Sequence, residues 1–279
     1  MTGLARQAAP GAPAVFAANR AQGGVRFSVA ADDRGRTRRE DVAEHGSLRV
    51  RFPNSGRDAE AVLVNTAGGI AGGDRFAVGV EVGEEARLTV TSAAAEKVYR
   101  SLGPAATVEV EIAVAAGGSL AWLPQETIFF DGAVYARTIA IDLAARARLV
   151  FSEATVLGRA AHGEQVRAGQ IVDRWRVRRD GKLIYADGLR LEQDIAAQLE
   201  APAAADGAAA LATVLIAPGS DDIVTAIRAL EGLRGEAGIS AWNGIAVARL
   251  IAADGATLRQ DLARVIAAAG APLPRLWLS

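Results

Sequence analysis

Val82-Gly83-Glu84-Glu85-Ala86-Arg87-Leu88 joins two apolar runs through five small or charged residues, and the pattern returns three times. The later copies are Val114-Ala115-Ala116-Gly117-Gly118-Ser119-Leu120, Leu143-Ala144-Ala145-Arg146-Ala147-Arg148-Leu149 and Val177-Arg178-Arg179-Asp180-Gly181-Lys182-Leu183. In each, an apolar residue closes one strand and a Leu six positions on opens the next. The Leu positions stand 32, 29 and 34 residues apart. A strand–turn–strand unit of that size cannot bury its own apolar face, so neighbouring units must stack. The spacing therefore predicts a mainly β protein with an elongated, solenoid-like stacked body. The competing reading is a β-sandwich in which the spacing is coincidental.

Outward from this repeat, Gly24–Ala30 and Ser47–Phe52 alternate apolar and polar residues as strands do. Asp32–Asp41 between them carries four Arg and four acids, and reads as a solvated loop. Residues 1–23 read as a flexible start, 24–200 as the β body, and Pro202–Gly207 as a linker. Residues 208–279 read as a small α+β part packed on that body. Ala212–Ala217 and Gly244–Ala252 are its strands. Ser220-Asp221-Asp222 caps a helix running to Leu233, and a second helix covers Asp254–Ala269. Pro272–Trp277 is stiff and apolar, and is expected to pack on the body.

Composition narrows the chemistry. The chain of 279 residues is 51% hydrophobic with a net charge of −1, so it lacks the basic excess of a nucleic-acid binder. There is no Cys, which excludes disulfides, thiolate metal sites and Cys nucleophiles. With His45 and His162 the only imidazoles, any metal handled here meets mostly carboxylates and backbone carbonyls, ligands that hold a borderline transition metal poorly compared with imidazole or thiolate. That donor set suits transit better than storage. No run of about 18 apolar residues exists to span a membrane, and the expected location is the cytoplasm.

Four segments stand out. Val64–Asp74 holds two Gly-Gly pairs, Gly68-Gly69 and Gly72-Gly73, around Ile70. It lacks the Lys-Ser/Thr of a phosphate loop, and Arg75–Val80 directly after it alternates like a strand instead of opening a helix. The glycines instead suggest positive-φ turns or very close backbone approach; Asp74 either caps the turn or shows a carboxylate at its mouth. Thr91–Ser101 brings Glu96, Lys97 and Arg100 beside Tyr99, a surface ion-paired turn or, less simply, a catalytic Lys without a supporting cofactor motif. Trp122–Ala133 contains Glu126 and Asp131. Five residues apart on an extended chain, they stand further apart than a glycosidase pair requires. Phe129-Phe130 reads as core or as a partner surface. Leu157–Gly169 places His162 and Glu164 around Gly163, read as an ordinary hydrogen-bonded pair more readily than as a ligand set. No nucleophile–base–acid constellation appears, so no catalytic residue is assigned.

Taken in order, these segments resemble the UreD (UreH) family of urease accessory proteins. The likeness rests on Gly-Gly-Ile-x-Gly-Gly-Asp at Gly68–Asp74, Lys-x-Tyr-Arg-Ser at Lys97–Ser101, Leu-Pro-Gln-Glu-x-Ile-x-Phe at Leu123–Phe130, Leu-Gly-Arg-x-x-x-Gly-Glu at Leu157–Glu164, and Leu-Pro-Arg-x-Trp at Leu273–Trp277. It puts weight on Gly68, Gly69, Gly72, Gly73, Arg159 and Gly163. One departure is visible: Asn65-Thr66-Ala67 stands where many members carry His-Pro-Pro, so a His there is not essential to any role carried over. The resemblance implies a mostly β protein with helices near its C-terminus and no enzymatic activity of its own. It implies direct binding to UreF, contact with the GTPase UreG through UreF, docking on apo-urease, and promotion of nickel insertion through an internal channel. Joined to the composition, it suggests that Asp74, Glu96, Glu126, Glu164 and Asp187 line a transient nickel path, with no tightly bound cofactor. The alternative is a pure interaction scaffold that never touches nickel.

Overall fold

The computed structural model describes residues 20–53, 56–159 and 163–277; residues 1–19 and His162 lie outside them. The elements run β1 (Gln22–Ala31), β2 (Thr37–Gly46), β3 (Leu48–Arg51), β4 (Ala59–Asn65), β5 (Arg75–Val82), β6 (Arg87–Ser92), β7 (Glu96–Val98), β8 (Ala106–Val114), β9 (Ser119–Trp122) and β10 (Thr127–Phe129). They continue with β11 (Val134–Leu143), β12 (Arg148–Leu157), β13 (Gln170–Arg179), β14 (Lys182–Glu192), α1 (Ile195–Glu200), β15 (Ala210–Ala217), α2 (Asp221–Arg228), β16 (Glu236–Trp242), β17 (Ile245–Ala252) and α3 (Gly255–Ala268). A short 3-10 turn covers Arg275–Trp277.

Two sheets face each other. One runs β14-β13-β11-β8-β5-β1-β2; the other runs β16-β17-β15-β12-β9-β6-β4-β3. From β5 to β13 the chain winds back and forth between them, so strands lying side by side in either sheet are parallel and come from successive windings. The stacked body expected from the repeat is this structure. Val82, Val114 and Leu143 are register partners in the first sheet. Leu88, Leu120 and Leu149 are register partners in the second. The turns between them stack as well. Ser119 N–H donates to the Ala86 carbonyl and Arg148 N–H to that of Gly118, both at 2.8 Å. Glu85, Gly117 and Arg146 occupy the same turn position, and all three have positive φ.

The fourth copy departs from the other three. Arg179 pairs with Lys182 across a two-residue Asp180-Gly181 loop, and both loop residues have positive φ. This conformation makes a tight hairpin, so β14 folds back antiparallel on β13 within the same sheet. Leu183 consequently lies outside the Leu ladder and is exposed.

The inner faces of the two sheets enclose one core, including Phe27, Val80, Ile139, Ile141, Leu149 and Phe151. The outer face of the second sheet is covered by α2 and α3 around Val214, Leu258, Leu262 and Val265. Sandwiched between two layers, β17 reads Ile-Ala-Val-Ala-Arg-Leu-Ile-Ala, nearly all apolar, as a doubly covered strand should. Ser220 accepts from Ile223 N–H and Asp254 from Thr257 N–H, capping the two longer helices. Trp277 is buried and its indole donates to the Leu123 carbonyl at 3.0 Å, fixing the C-terminal segment on the body.

Two local expectations need correction, and two elements were not read from the sequence. The mixed-charge stretch is a loop only as far as Arg36; from Thr37 it is the edge strand β2, whose backbone pairs with β1 while its side chains after the buried Thr37 are exposed. The α2 helix stops at Arg228, short of Leu233. A strand unread in the sequence, β16, precedes β17 as its hairpin partner, and a short helix, α1, precedes the Pro202–Gly207 turn.

Candidate functional site

Four of the five motif segments become neighbours on successive windings. Ile70 bridges Val98, Val98 pairs with Phe129, and Phe129 pairs with Leu157, all in parallel. The double-glycine loop lies against Lys97–Ser101: Tyr99 Oη donates to the Gly68 carbonyl at 3.0 Å, and Ile70 N–H donates to that of Lys97 at 2.7 Å. A Cβ on Gly69 would run into the Tyr99 ring, and one on Gly72 into Ser101. The glycines thus serve close approach between segments as well as positive-φ turning. Phe129 is buried, whereas Phe130 packs edge-on to Tyr99 with the Arg159 guanidinium 4.3 Å from its ring centroid.

Beneath these loops, between the sheets, lies a cavity of about 370 Å³. Its walls include Asn65, Glu96, Tyr135, Arg137 and Glu153. A second cavity of about 240 Å³ is bounded by Glu153, Asp173, Trp175, Asp187 and Arg249. Glu153 belongs to both. Arg137, Glu153 and Asp173 come from β11, β12 and β13, and Arg137 and Asp173 are register partners in one sheet while Glu153 faces them from the other.

This cluster is buried and fully connected. Arg137 grips Asp173 with two bonds, Nε to Oδ1 at 3.1 Å and Nη2 to Oδ2 at 2.6 Å. Its Nη1 reaches Glu153 Oε2 across the interior at 2.6 Å. Trp122 donates to Glu153 Oε1 at 2.9 Å, and Trp175 to Asp173 Oδ2 at 3.0 Å. Phe151 packs between the two indoles, stacked on Trp122 and edge-on to Trp175. Burial pushes the Glu153 carboxyl upward against the opposing pull of Arg137. Burial also acts against the Arg137 charge, but Asp173 and Glu153 outweigh it and hold the guanidinium firmly protonated.

The five carboxylates read from the sequence lie in different surroundings. Glu96 lines the first cavity, accepting from Asn65 Nδ2 and Lys97 N–H, and burial raises its carboxyl above the usual range. Asp187 lines the second, accepting from Tyr185 Oη at 2.6 Å and Arg249 at 2.8 Å. Asp74 caps its own loop: it is buried and accepts the backbone N–H groups of Ala21 and Ala71. Glu126 pairs with Arg259 near the base of α3, and Glu164 with Arg159. Asp131 accepts from Arg167 and Ala168 N–H rather than facing Glu126. Among the described residues no three His, Asp or Glu side chains converge as a metal-ligand set.

Arg137, Glu153 and Asp173 escaped the sequence reading although a signal was present. Each holds a position in its strand that alternation assigns to the core, between Tyr135 and Ile139, Phe151 and Thr155, and Ile171 and Trp175. A charge at an inward position in three consecutive long strands marks a buried polar cluster.

Stacked parallel windings, a buried polar cluster between two cavities and a surface row of interlocked loops define a β-solenoid-like fold with one polar cluster set in an apolar core. The family model described as UreD urease accessory protein matches residues 21–278, and the chain belongs to that family. It is 58% identical over 268 residues to a urease accessory protein UreD of Rhodopseudomonas palustris strain HaA2, covering 95% of this chain and 96% of that one. It is 56% identical to a UreD 3 of Bradyrhizobium sp. strain BTAi1, with coverage of 95% and 96%, and 54% identical to a UreD of R. palustris strain BisB5, with coverage of 98% of both chains. As a urease accessory protein the chain takes part in urease maturation.

Proposed function

We propose that the protein is a non-catalytic nickel-insertion chaperone of the cytoplasm, a scaffold that joins apo-urease to the UreF–UreG GTPase module and conducts nickel through its interior. It binds UreF directly and UreG through UreF, and takes neither nucleic acid nor membrane as a partner. The single observation that carries the reading is the pair of cavities sharing Glu153, with Glu96 on the wall of one and Asp187 on the wall of the other. A cation moving between them meets carboxylate oxygens in series, each already hydrogen-bonded and so a weak ligand. Nickel is cargo here, bound in passing.

The pure scaffold reading draws support from a different fact: all four oxygens of Glu153 and Asp173 are engaged by Arg137, Trp122 and Trp175. The double variant Glu96→Gln/Asp187→Asn separates the two readings. Conduction predicts that apo-urease matured with it contains several-fold less nickel while the variant still co-purifies with UreF. Unchanged nickel content of that urease sinks the conduit and leaves the scaffold. Asp74 is unsuited to this test, because its loss strands two backbone donors and perturbs the loop itself.

A further inference from the structure

A protein that passes a divalent cation along carboxylates must avoid building a trap, and two buried carboxylates facing each other are the start of one. Glu153, at the boundary of both cavities, and Asp173, on the wall of the second, are such a pair, buried and presented from opposite sheets. The seat between them is filled by Arg137, which reaches both carboxylates at 2.6 Å. With the two indoles taking further bonds, no carboxylate oxygen of the pair is left without a donor. Resting on the conduit reading, we infer that Arg137 is a resident counter-cation that denies Glu153 and Asp173 to the travelling metal ion. It is a positioning residue that keeps the passage weakly binding at its most buried point.

Charge and geometry both support this role. The triad carries one positive and two negative charges, so its net charge still favours a nearby cation. A guanidinium binds carboxylates through two parallel N–H donors and cannot lose its proton. A lysine ammonium at this position would be a mobile point charge with one stem. Removing one partner of a buried ion group leaves an uncompensated charge, and a small divalent cation is the species able to replace it through oxygen ligation.

The test is nickel retention by the full-length protein in its complex with UreF, without urease, by equilibrium dialysis against nickel chloride. Arg137→Gln is expected to gain about one retained nickel per chain, bound at least about tenfold more tightly than anything in the wild type. The double variant Arg137→Gln/Glu153→Gln removes one of the two carboxylates and is expected to return to wild-type retention. If Arg137 merely braces the two sheets, Arg137→Gln lowers the melting temperature without gaining nickel, and the inference is overturned. If Arg137→Gln is insoluble alone but folds when nickel or magnesium is supplied, the cation has taken the guanidinium's seat, as expected. Insolubility that neither ion relieves overturns it. Retention is read without urease, so it stands apart from the conduit test: nickel gained by Arg137→Gln together with unchanged urease loading by Glu96→Gln/Asp187→Asn removes the conduit and keeps the counter-cation.

Discussion

Glu96 shows how much of a site's chemistry is set by one side chain's surroundings. Its carboxylate accepts from Asn65 and Lys97, but burial dominates and raises its affinity for a proton. In the folded state it therefore titrates above the unfolded value of 4.5. Between the two values the native state binds more protons than the unfolded chain, so stability falls as pH rises through that window. Glu96→Gln removes the titration. The melting temperature of the variant should gain on the wild type as pH rises above 4.5, and a difference independent of pH would refute the assignment. Glu96 was legible in the sequence as an acid beside a motif. Arg137 was not singled out, although Tyr-Ala-Arg-Thr-Ile places it at the same parity as Tyr135 and Ile139, because a lone charge in a strand reads as solvent-facing until the matching charges of the neighbouring strands are set beside it.

At the scale of elements, the repeat is the feature the sequence displayed best, and its one false copy is instructive. Val82/Leu88, Val114/Leu120 and Leu143/Leu149 span arches between sheets, with one left-handed residue in each turn. Val177/Leu183 has the same spacing but contains Asp-Gly, whose two consecutive left-handed residues close a hairpin instead. The local turn chemistry overrode the period. Leu120 and Leu183 look equivalent in sequence, yet one is 1% exposed and the other 49%. Leu120→Ala should therefore cost about 3 kcal/mol in chemical denaturation, and Leu183→Ala within about 0.5 kcal/mol. Equal costs would dissolve the ladder. Helix starts were legible because Ser220 and Asp254 are capping residues with a mechanism. The strand β2 was hidden because a charged edge strand pairs by backbone alone and carries no alternation.

At the scale of the molecule, the question is whether the C-terminal part is an appendage. Its strands say otherwise. β15 continues the second sheet by pairing with β12 over eight residues, from Leu149↔Ala217 to Val156↔Ala210. Arg259 of α3 reaches Gln125 and Glu126, and Trp277 reaches Leu123, so both grip the Leu123–Phe130 motif from beneath. Removing residues 208–279 would uncover the apolar outer face around Ala121, Leu123 and Ala154, and would open a full edge of β12. An unpaired central strand beside a bare apolar face is a template for aggregation. The chain ending at residue 207 should therefore be insoluble when expressed alone. The intact chain should unfold as one cooperative unit, with far-ultraviolet circular dichroism and tryptophan fluorescence giving coincident transitions. The four indoles report from both ends of the question, Trp122 and Trp175 from the stacked windings and Trp242 and Trp277 from the C-terminal part. A soluble, folded fragment ending at residue 207, or two separate transitions in the whole chain, would mean that the second sheet is divisible at β12 and that the polar cluster is held by the windings alone.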